Sequence, residues 1–415
     1  MSAPPRAPGP ALHSSGFEPR LILATLGAFT AFMPLLVLLL PRRVEAVAPG
    51  SALADLSLLL LVGGLVASGA HILGGWWSDR WMARIGTRRP QILIGLLLVL
   101  ASLSAFGWAM TLAQLMLAMI AFQFAFNILF APLNALLADY VPDARKGLVA
   151  GAQGAMLPLA GFTVSLVGWV SAGDAGWPFA MVAAFVGLAI APLLVGWTRA
   201  PVIATAPRGE APGAAAWKLL RGDFAYAWIA RLLVQIGAVS VISYLFLYVD
   251  SVASCARGFG AQTASAAVAL LALVSNLFAI LAGLAAGRWS DALGARKPVL
   301  VATALVMAAM LGLLAWAPHW GLVIAAHALF TAALTAFLSV DSAMVASLVA
   351  GRRRRGALLG MMNLTNTLPS VIAPALALSL AAGALGGAPL RSLMLLAAGA
   401  TVLSALAVTR IRTIR

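Results

Sequence analysis

The chain has 415 residues, of which 62% are hydrophobic and 9% charged, with a net charge of +15 and a mean hydropathy of +1.00. A soluble domain is about one quarter charged, so these charges cannot cover a soluble surface of this size and lipid must be the solvent for much of it. One cysteine, Cys255, excludes an intrachain disulfide or a thiolate metal cluster, and four scattered histidines give no metal-ligand spacing. The positive charge reads as membrane topology rather than nucleic-acid binding, and no cofactor is expected.

In chain order, residues 1–20 are polar and Pro-rich, which predicts a disordered tail. Apolar segments follow at 21–40, 53–75, 91–111, 113–138, 148–171, 177–197, 224–249, 262–286, 299–317, 320–340, 356–382 and 389–409. Each is about 20 residues or longer, enough for a helix to cross a ~30 Å hydrocarbon core. The first lacks the short core and cleavage site of a signal peptide. No strand alternation occurs, so a β-barrel is excluded. Residues 198–222 carry Pro201, Pro207 and Pro212 and divide the spans into six and six. The expected fold is an all-α membrane protein with twelve transmembrane helices in two six-helix pseudo-repeats, 21–197 and 223–415.

A repeat supports that division. Gly75 to Pro90 reads GWWSDRWMARIGTRRP, and Gly287 to Pro298 reads GRWSDALGARKP. The first copy is four residues longer, about one helical turn. A weaker echo relates Tyr140–Gly151 to Leu348–Gly360. With both termini cytoplasmic, 22 of the 27 Lys and Arg residues fall on the cytoplasmic side. The outer loops then hold Arg42, Arg43, Arg257 and Arg391, and Arg231 is left inside a helix. This split matches the positive-inside rule and predicts a multi-pass protein of a bacterial inner membrane. The run Arg352–Arg355 is expected to meet anionic lipid headgroups.

Two features of the repeat suggest a gate. Gly75 and Gly287 would let neighbouring helices approach closely. Asp79 and Asp291 stand where a carboxylate can meet a helix N-terminus or an arginine. The run Ser78-Asp79-Arg80, Arg84, Gly86 and Arg88-Arg89-Pro90 resembles the S-D-R-x-x-x-R-x-G-R-R-R-P pattern of the sucrose–proton symporters and the wider glycoside–pentoside–hexuronide cation symporter group of the major facilitator superfamily. Asn127, Pro132, Ala138-Asp139, Pro142, Arg145 and Gly147 are similar to that group's helix 4 ending, and Asn363, Asn366, Pro369 and Pro374 to helix 11 of its bacterial relatives. Two parallel six-helix repeats are the major facilitator architecture. The resemblance implies cation-coupled movement of a sugar or glycoside. The expected gating residues are Gly75, Asp79, Arg80, Arg84, Asp139, Arg145, Gly287, Asp291 and Asp341. Paired carboxylates in helices 2 and 4, which hold sodium in melibiose-type members, are replaced here by His71 and Asn127, so protons are the expected ion.

Polar residues within spans are the candidates for substrate and coupling. Arg231 lies about 10 Å along helix 7; it either lines a cavity or snorkels to the interface. Gln235 stands one turn further on the same face, and Asp341 is a candidate partner. Asn127, Gln153, Asn363, Asn366 and Tyr244 complete the expected substrate set. His71 and His327 are the expected proton carriers, since small shifts move a histidine across neutral pH. No phosphate-binding loop, nucleophile elbow or zinc motif occurs, so an enzyme or ATP-driven pump is not expected. The expected function is proton-coupled secondary transport of a small solute, favouring a sugar or glycoside, by a monomer in contact with membrane lipids. Proton-driven efflux of amphipathic compounds and a non-transporting role in pigment or cofactor delivery are the alternatives.

Overall fold

The computed structural model describes residues 16–170, 176–197, 220–253, 263–293, 295–349, 355–383 and 388–412. Residues 1–15 of the expected tail, most of the expected linker, Cys255, Arg257 and Arg352–Arg354 lie outside these, while Phe17–Arg20, expected in the tail, form the first turn of α1. Twelve helices are long and apolar enough to span: α1 Phe17–Val47, α2 Ala52–Ile85, α3 Arg89–Trp108 and α4 Leu112–Tyr140; α5 Asp143–Val170 and α6 Trp177–Val195; α7 Asp223–Ala253, α8 Ala264–Leu293, α9 Lys297–Trp316 and α10 Trp320–Val349; α11, built from Arg355–Thr367 and Pro369–Ala381; and α12 Pro389–Thr409.

The first six pack as one bundle, α1 on α5 and α6, α3 on α4 and α6, and α2 on α4. The last six repeat the scheme, with α7 on α12, α9 on α10 and α12, and α8 on α10. The bundles meet along α2 with the second segment of α11, along α5 with α8, and where the end of α1 touches α7. Because spans alternate in direction, Phe17, Ile85, Asp223 and Thr409 share one end of the molecule, here the terminal end. The opposite end is the distal end.

Three helices depart from simple spans. α2 runs 34 residues without a break, about 51 Å at 1.5 Å per residue, so it outruns a ~30 Å core. The repeated motif is therefore helix, not the loop its charges suggest. The helix stops at Gly86, whose φ of 68° is the left-handed cap that glycine adopts at least cost. In the register that matches Asp79 to Asp291, α2 outlasts α8 by the four residues of the longer copy. α1 contains a π-helical stretch, Leu35–Leu39, just after Pro34. α11 breaks at Leu368, before Pro369, a residue with no N–H to donate. Nearby hydroxyls bond main-chain carbonyls there: Thr365 to Met362 at 2.6 Å, and Ser370 to Thr367 at 2.6 Å.

The distal end carries two capping arginines. Arg43 Nε donates to the Ala109 carbonyl at 2.9 Å, and Arg391 Nε to Ala315 at 3.1 Å, with its guanidinium 4.3 Å from the Trp316 ring centre. These carbonyls end α3 and α9, where a cation suits the helix dipole.

Candidate functional site

The bundles touch closely toward the distal end. A Cβ on Gly64 of α2 would lie 2.6 Å from the Ser370 carbonyl of α11, and one on Gly168 of α5 would lie 2.7 Å from the Ser265 carbonyl of α8. Gly161 packs against the Asn276 side chain in the same way. Ser57 of α2 and Tyr244 of α7 share a hydrogen bond of 2.9 Å. Tyr244 is fully buried, so it belongs to this distal seal and offers no free ring face to a solute. Toward the terminal end five glycines face open space: a Cβ on Gly69, Gly75, Gly151, Gly154 or Gly287 would meet nothing within 4 Å. The close approach expected of Gly75 belongs to its neighbour Gly74, whose Cβ would sit 2.8 Å from the Asn127 carbonyl of α4.

Polar side chains line the interior on each side of this gap. In the second bundle Arg231 Nη1 donates to Asp341 Oδ2 at 3.0 Å. Arg231 Nη2 and Gln235 Nε2 both reach Asn366 Oδ1, at 3.4 and 3.0 Å. Asn366 Nδ2 donates to Asn363 Oδ1 at 3.2 Å. Asp341 is sealed while the Arg231 side chain stays 17% exposed, and Asn363 and Asn366 are exposed. Arg231 therefore turns inward onto α10 and α11 rather than reaching for the interface. In the first bundle Gln153 Nε2 donates to Thr25 Oγ1 at 2.8 Å. Thr25 is the ninth residue of α1 and Arg231 the ninth of α7, so the first helix of each bundle offers a polar group at the same level.

The histidines bond within their own bundles. His71 Nδ1 lies 3.2 Å from Asn127 Oδ1 across α2 and α4. His327 Nδ1 lies 2.6 Å from the Ser275 hydroxyl across α10 and α8. Register explains their positions. Matching Asp79 to Asp291 and Tyr140 to Leu348 sets Gly63–Met119 beside Ser275–His327, and His71–Asn127 beside Gly283–Thr335. Gly63 packs on the Met119 side chain, and a Cβ on Gly283 would lie 3.1 Å from Thr335 Cγ2. Each histidine pair thus fills a level that the other bundle fills with a glycine and a larger residue.

At the terminal end Arg88 is the hub. Its Nε donates to Asp139 Oδ2 at 2.7 Å, its Nη1 to the Ser78 hydroxyl, and both Nη atoms approach Asp79 Oδ1 at 3.2 Å. Arg88 is 1% exposed and the Asp79 side chain 49%. Beside it, Gln91 Nε2 donates to the carbonyls of Gly74 at 2.9 Å and Ile128 at 3.2 Å. Arg80 lies over the Trp76 ring, 5.4 Å from its centre, and Arg84 is exposed in the last turn of α2. Arg145 pairs with Glu18 at 2.8 Å inside the first bundle. The sequence reading gives the motif's arginine role to Arg80 and Arg84; the bonds are built on Arg88. Its signal was the repeat itself, because Arg296 holds the same place before Lys297 and Pro298. Arg296 Nη1 donates to the Ala343 carbonyl at 2.9 Å and to the Ser347 hydroxyl. Asp291 ends α8 in the expected place; its side chain lies outside the described residues.

One distal groove was not anticipated. About 450 Å³ of space lies where α1, α2, α7 and α12 come together, lined by Glu45, Ser51, Leu247, Asp250 and Pro389 among others.

The Major Facilitator Superfamily profile matches residues 21–283 and 255–414. A comparison with curated proteins found no match. The fold is similar to that of a bacterial homologue of the human lysosomal transporter Spinster in an inward-facing, occupied conformation, at 15% identity over 97% of this chain and 98% of that one, with a TM-score of 0.72. The nucleoside transporter NupG is similar at 15% identity, over 96% of this chain and 100% of that one, with a TM-score of 0.74. With twelve apolar helices in two repeated bundles and a profile match reaching across both, the chain belongs to the major facilitator superfamily, as a multi-pass membrane transporter and not an enzyme.

Proposed function

We propose that this transporter moves a small hydroxyl-rich solute, a sugar or glycoside, by alternating access coupled to protons. In this reading the membrane is a bacterial inner membrane, both termini are cytoplasmic, and the described state is open to the cytoplasm. One observation carries it: polar groups of both bundles, Thr25 and Gln153 on one side and Arg231, Gln235, Asn363 and Asn366 on the other, lie on the terminal side of a closed distal seal. Alternating access needs a site near the midplane between the halves, and amides within the spans that bond one another weakly can exchange those bonds for a solute's hydroxyls. The ionisable groups within the spans that can hold the coupling proton are His71, His327 and Asp341.

The terminal-end networks fit a gate in the same scheme. Arg88 ties α2, α3 and α4 into one body through Ser78, Asp79 and Asp139. Asp79, half exposed beside the gap, is placed to bridge to the second bundle when the gap closes, with Asp291 as its counterpart.

Sugar uptake into proteoliposomes, with external alkalinisation measured alongside it, tests this reading. Solute entry with equal proton entry is expected. Solute expelled against proton entry would establish efflux instead. Arg231→Ala is expected to abolish binding in a thermal-shift titration with the transported sugar, and unchanged affinity would remove Arg231 from the site.

A further inference from the structure

The polar cluster on α7, α10 and α11 is unevenly satisfied. Asp341 is fully buried, and among the described residues neither its Oδ1 nor Nε of Arg231 has a hydrogen-bond partner. The pair holds together by one short contact, Nη1 to Oδ2 at 3.0 Å, where a guanidinium and a carboxylate can make two. The remaining guanidinium nitrogen and the Gln235 amide converge on a single acceptor, Asn366 Oδ1. Donors therefore exceed acceptors on the face of Arg231 that stays exposed. Each hydroxyl of a neutral solute brings a further donor along with its acceptor lone pairs, whereas a carboxylate brings acceptors alone.

We propose that the transported solute carries a carboxylate, that this carboxylate takes the Arg231 guanidinium away from Asp341, and that Asp341 gains a proton in the same step. This rests on the reading above, which sets the solute between the bundles. Removing one partner from a buried pair leaves an uncompensated charge, which is strongly unfavourable. A proton drawn from the water of the open end and bonded to Asp341 Oδ removes that charge. The site is neutral before, with one guanidinium and one carboxylate. It is neutral after, with the guanidinium paired to the solute and the aspartic acid uncharged. One anion and one proton thus cross together with no net charge.

Three ionisable groups on the surrounding elements have partners of their own among the described residues. Arg296 is held by Ala343 and Ser347, Lys297 by the Ile411 carbonyl at 2.8 Å, and His327 by Ser275. Arg231 of α7 is the one that bonds Asp341.

Two probes that differ at one carbon test the proposal: D-glucuronate and D-glucose, offered to the full chain in proteoliposomes with a pH-sensitive dye inside. Glucuronate is expected to accumulate under a proton gradient, with one proton per anion, and to be indifferent to an imposed potassium diffusion potential. Arg231→Gln is expected to lower its affinity roughly 10- to 100-fold, the worth of a charge-assisted hydrogen bond. Asp341→Asn is expected to keep glucuronate exchange yet lose accumulation driven by the proton gradient. If Arg231→Gln does not fold, Arg231→Gln/Asp341→Asn, which leaves no bare charge, replaces it. Accumulation retained in Asp341→Asn, or dependence on the diffusion potential, overturns the proposal. Glucose moved with protons while glucuronate is refused overturns it and leaves the sugar reading standing. Refusal of both overturns both.

Discussion

In the first bundle Arg88 reaches from the start of α3 to a carboxylate on α4; in the second, Arg296 makes the same reach and meets a carbonyl and a hydroxyl. The repeat register sets Asp139 opposite Ser347, so a carboxylate at one hub is replaced by a hydroxyl at the other. Two levels further into the bundles the contrast reverses its sides. The second bundle holds the sealed His327–Ser275 pair where the first has Gly63 against Met119, and the first holds His71–Asn127 where the second has Gly283 against Thr335. Duplication has kept the spacing between α2 and α4, and between α8 and α10, while exchanging the chemistry that fills it. A charged network at one place and close packing at its twin are two ways to hold the same helix pair.

Removing the hubs separates those two ways most strongly. Arg88→Ala leaves Asp139 buried and facing Asp79, and should cost about 3 to 5 kcal/mol, the range for breaking a buried pair. Among the described residues Arg296 has neutral partners, so Arg296→Ala should cost about 1 to 3 kcal/mol. Unfolding midpoints of the two purified variants in one detergent check this, and equal losses would show that Asp139 and Ser347 are interchangeable.

Next comes close packing. Gly74 has the Asn127 carbonyl 2.8 Å from where a Cβ would be, whereas its twin Ala286 already carries one and is buried. Gly74→Ala should destabilise by about 1 to 3 kcal/mol through overpacking. Ala286→Gly should cost about 1 kcal/mol through helix propensity alone. The same melts compare them.

A transplant is gentler. His327→Met alone strands the Ser275 hydroxyl and should cost about 1 to 3 kcal/mol. Ser275→Gly/His327→Met recreates the Gly63–Met119 contact and should recover part of that loss, a coupling a double-mutant cycle resolves. Strict additivity would mean that the two levels are not packing equivalents.

Asp79→Asn should have the smallest effect on stability, within about 1 kcal/mol, because its side chain is half exposed. It is expected to slow turnover more than it weakens binding. Equal turnover and equal binding against wild type would remove Asp79 from the gate.

Hydropathy and charge made the twelve spans and their division legible, because lipid demands long apolar runs with satisfied backbones whatever the partners. The Arg231–Asp341 contact was legible for a related reason: a charge deep in a span needs a counter-charge, and few acids lay at that depth. Arg88 was not. Its partners stand ten and fifty-one positions away, and in a chain rich in arginine at this end a buried hub looks like any topology charge. Tyr244 was misjudged because composition gives an aromatic residue in a span but not the serine across the bundles that absorbs its hydroxyl. The apolar segment 53–75 stops ten residues short of the end of α2 because the polar residues of the motif sit where the helix has left the lipid, a place where helix no longer needs to be apolar.

The π-helical stretch Leu35–Leu39 has a consequence in the arithmetic of insertions. A π turn holds one residue more than an α turn, and one residue is about 100° of helical phase. Everything in α1 beyond Leu39 is therefore rotated by that much relative to a straight continuation of Phe17–Pro34. Arg43, beyond the offset, is the residue whose Nε reaches the Ala109 carbonyl at the end of α3. Deleting Val37 should leave an unbroken α-helix, easier to form by itself, yet swing Arg43 off the Ala109 carbonyl. The surplus residue thus acts as a phase-setting insertion, exchanging local helical regularity for the correct azimuth of the distal cap.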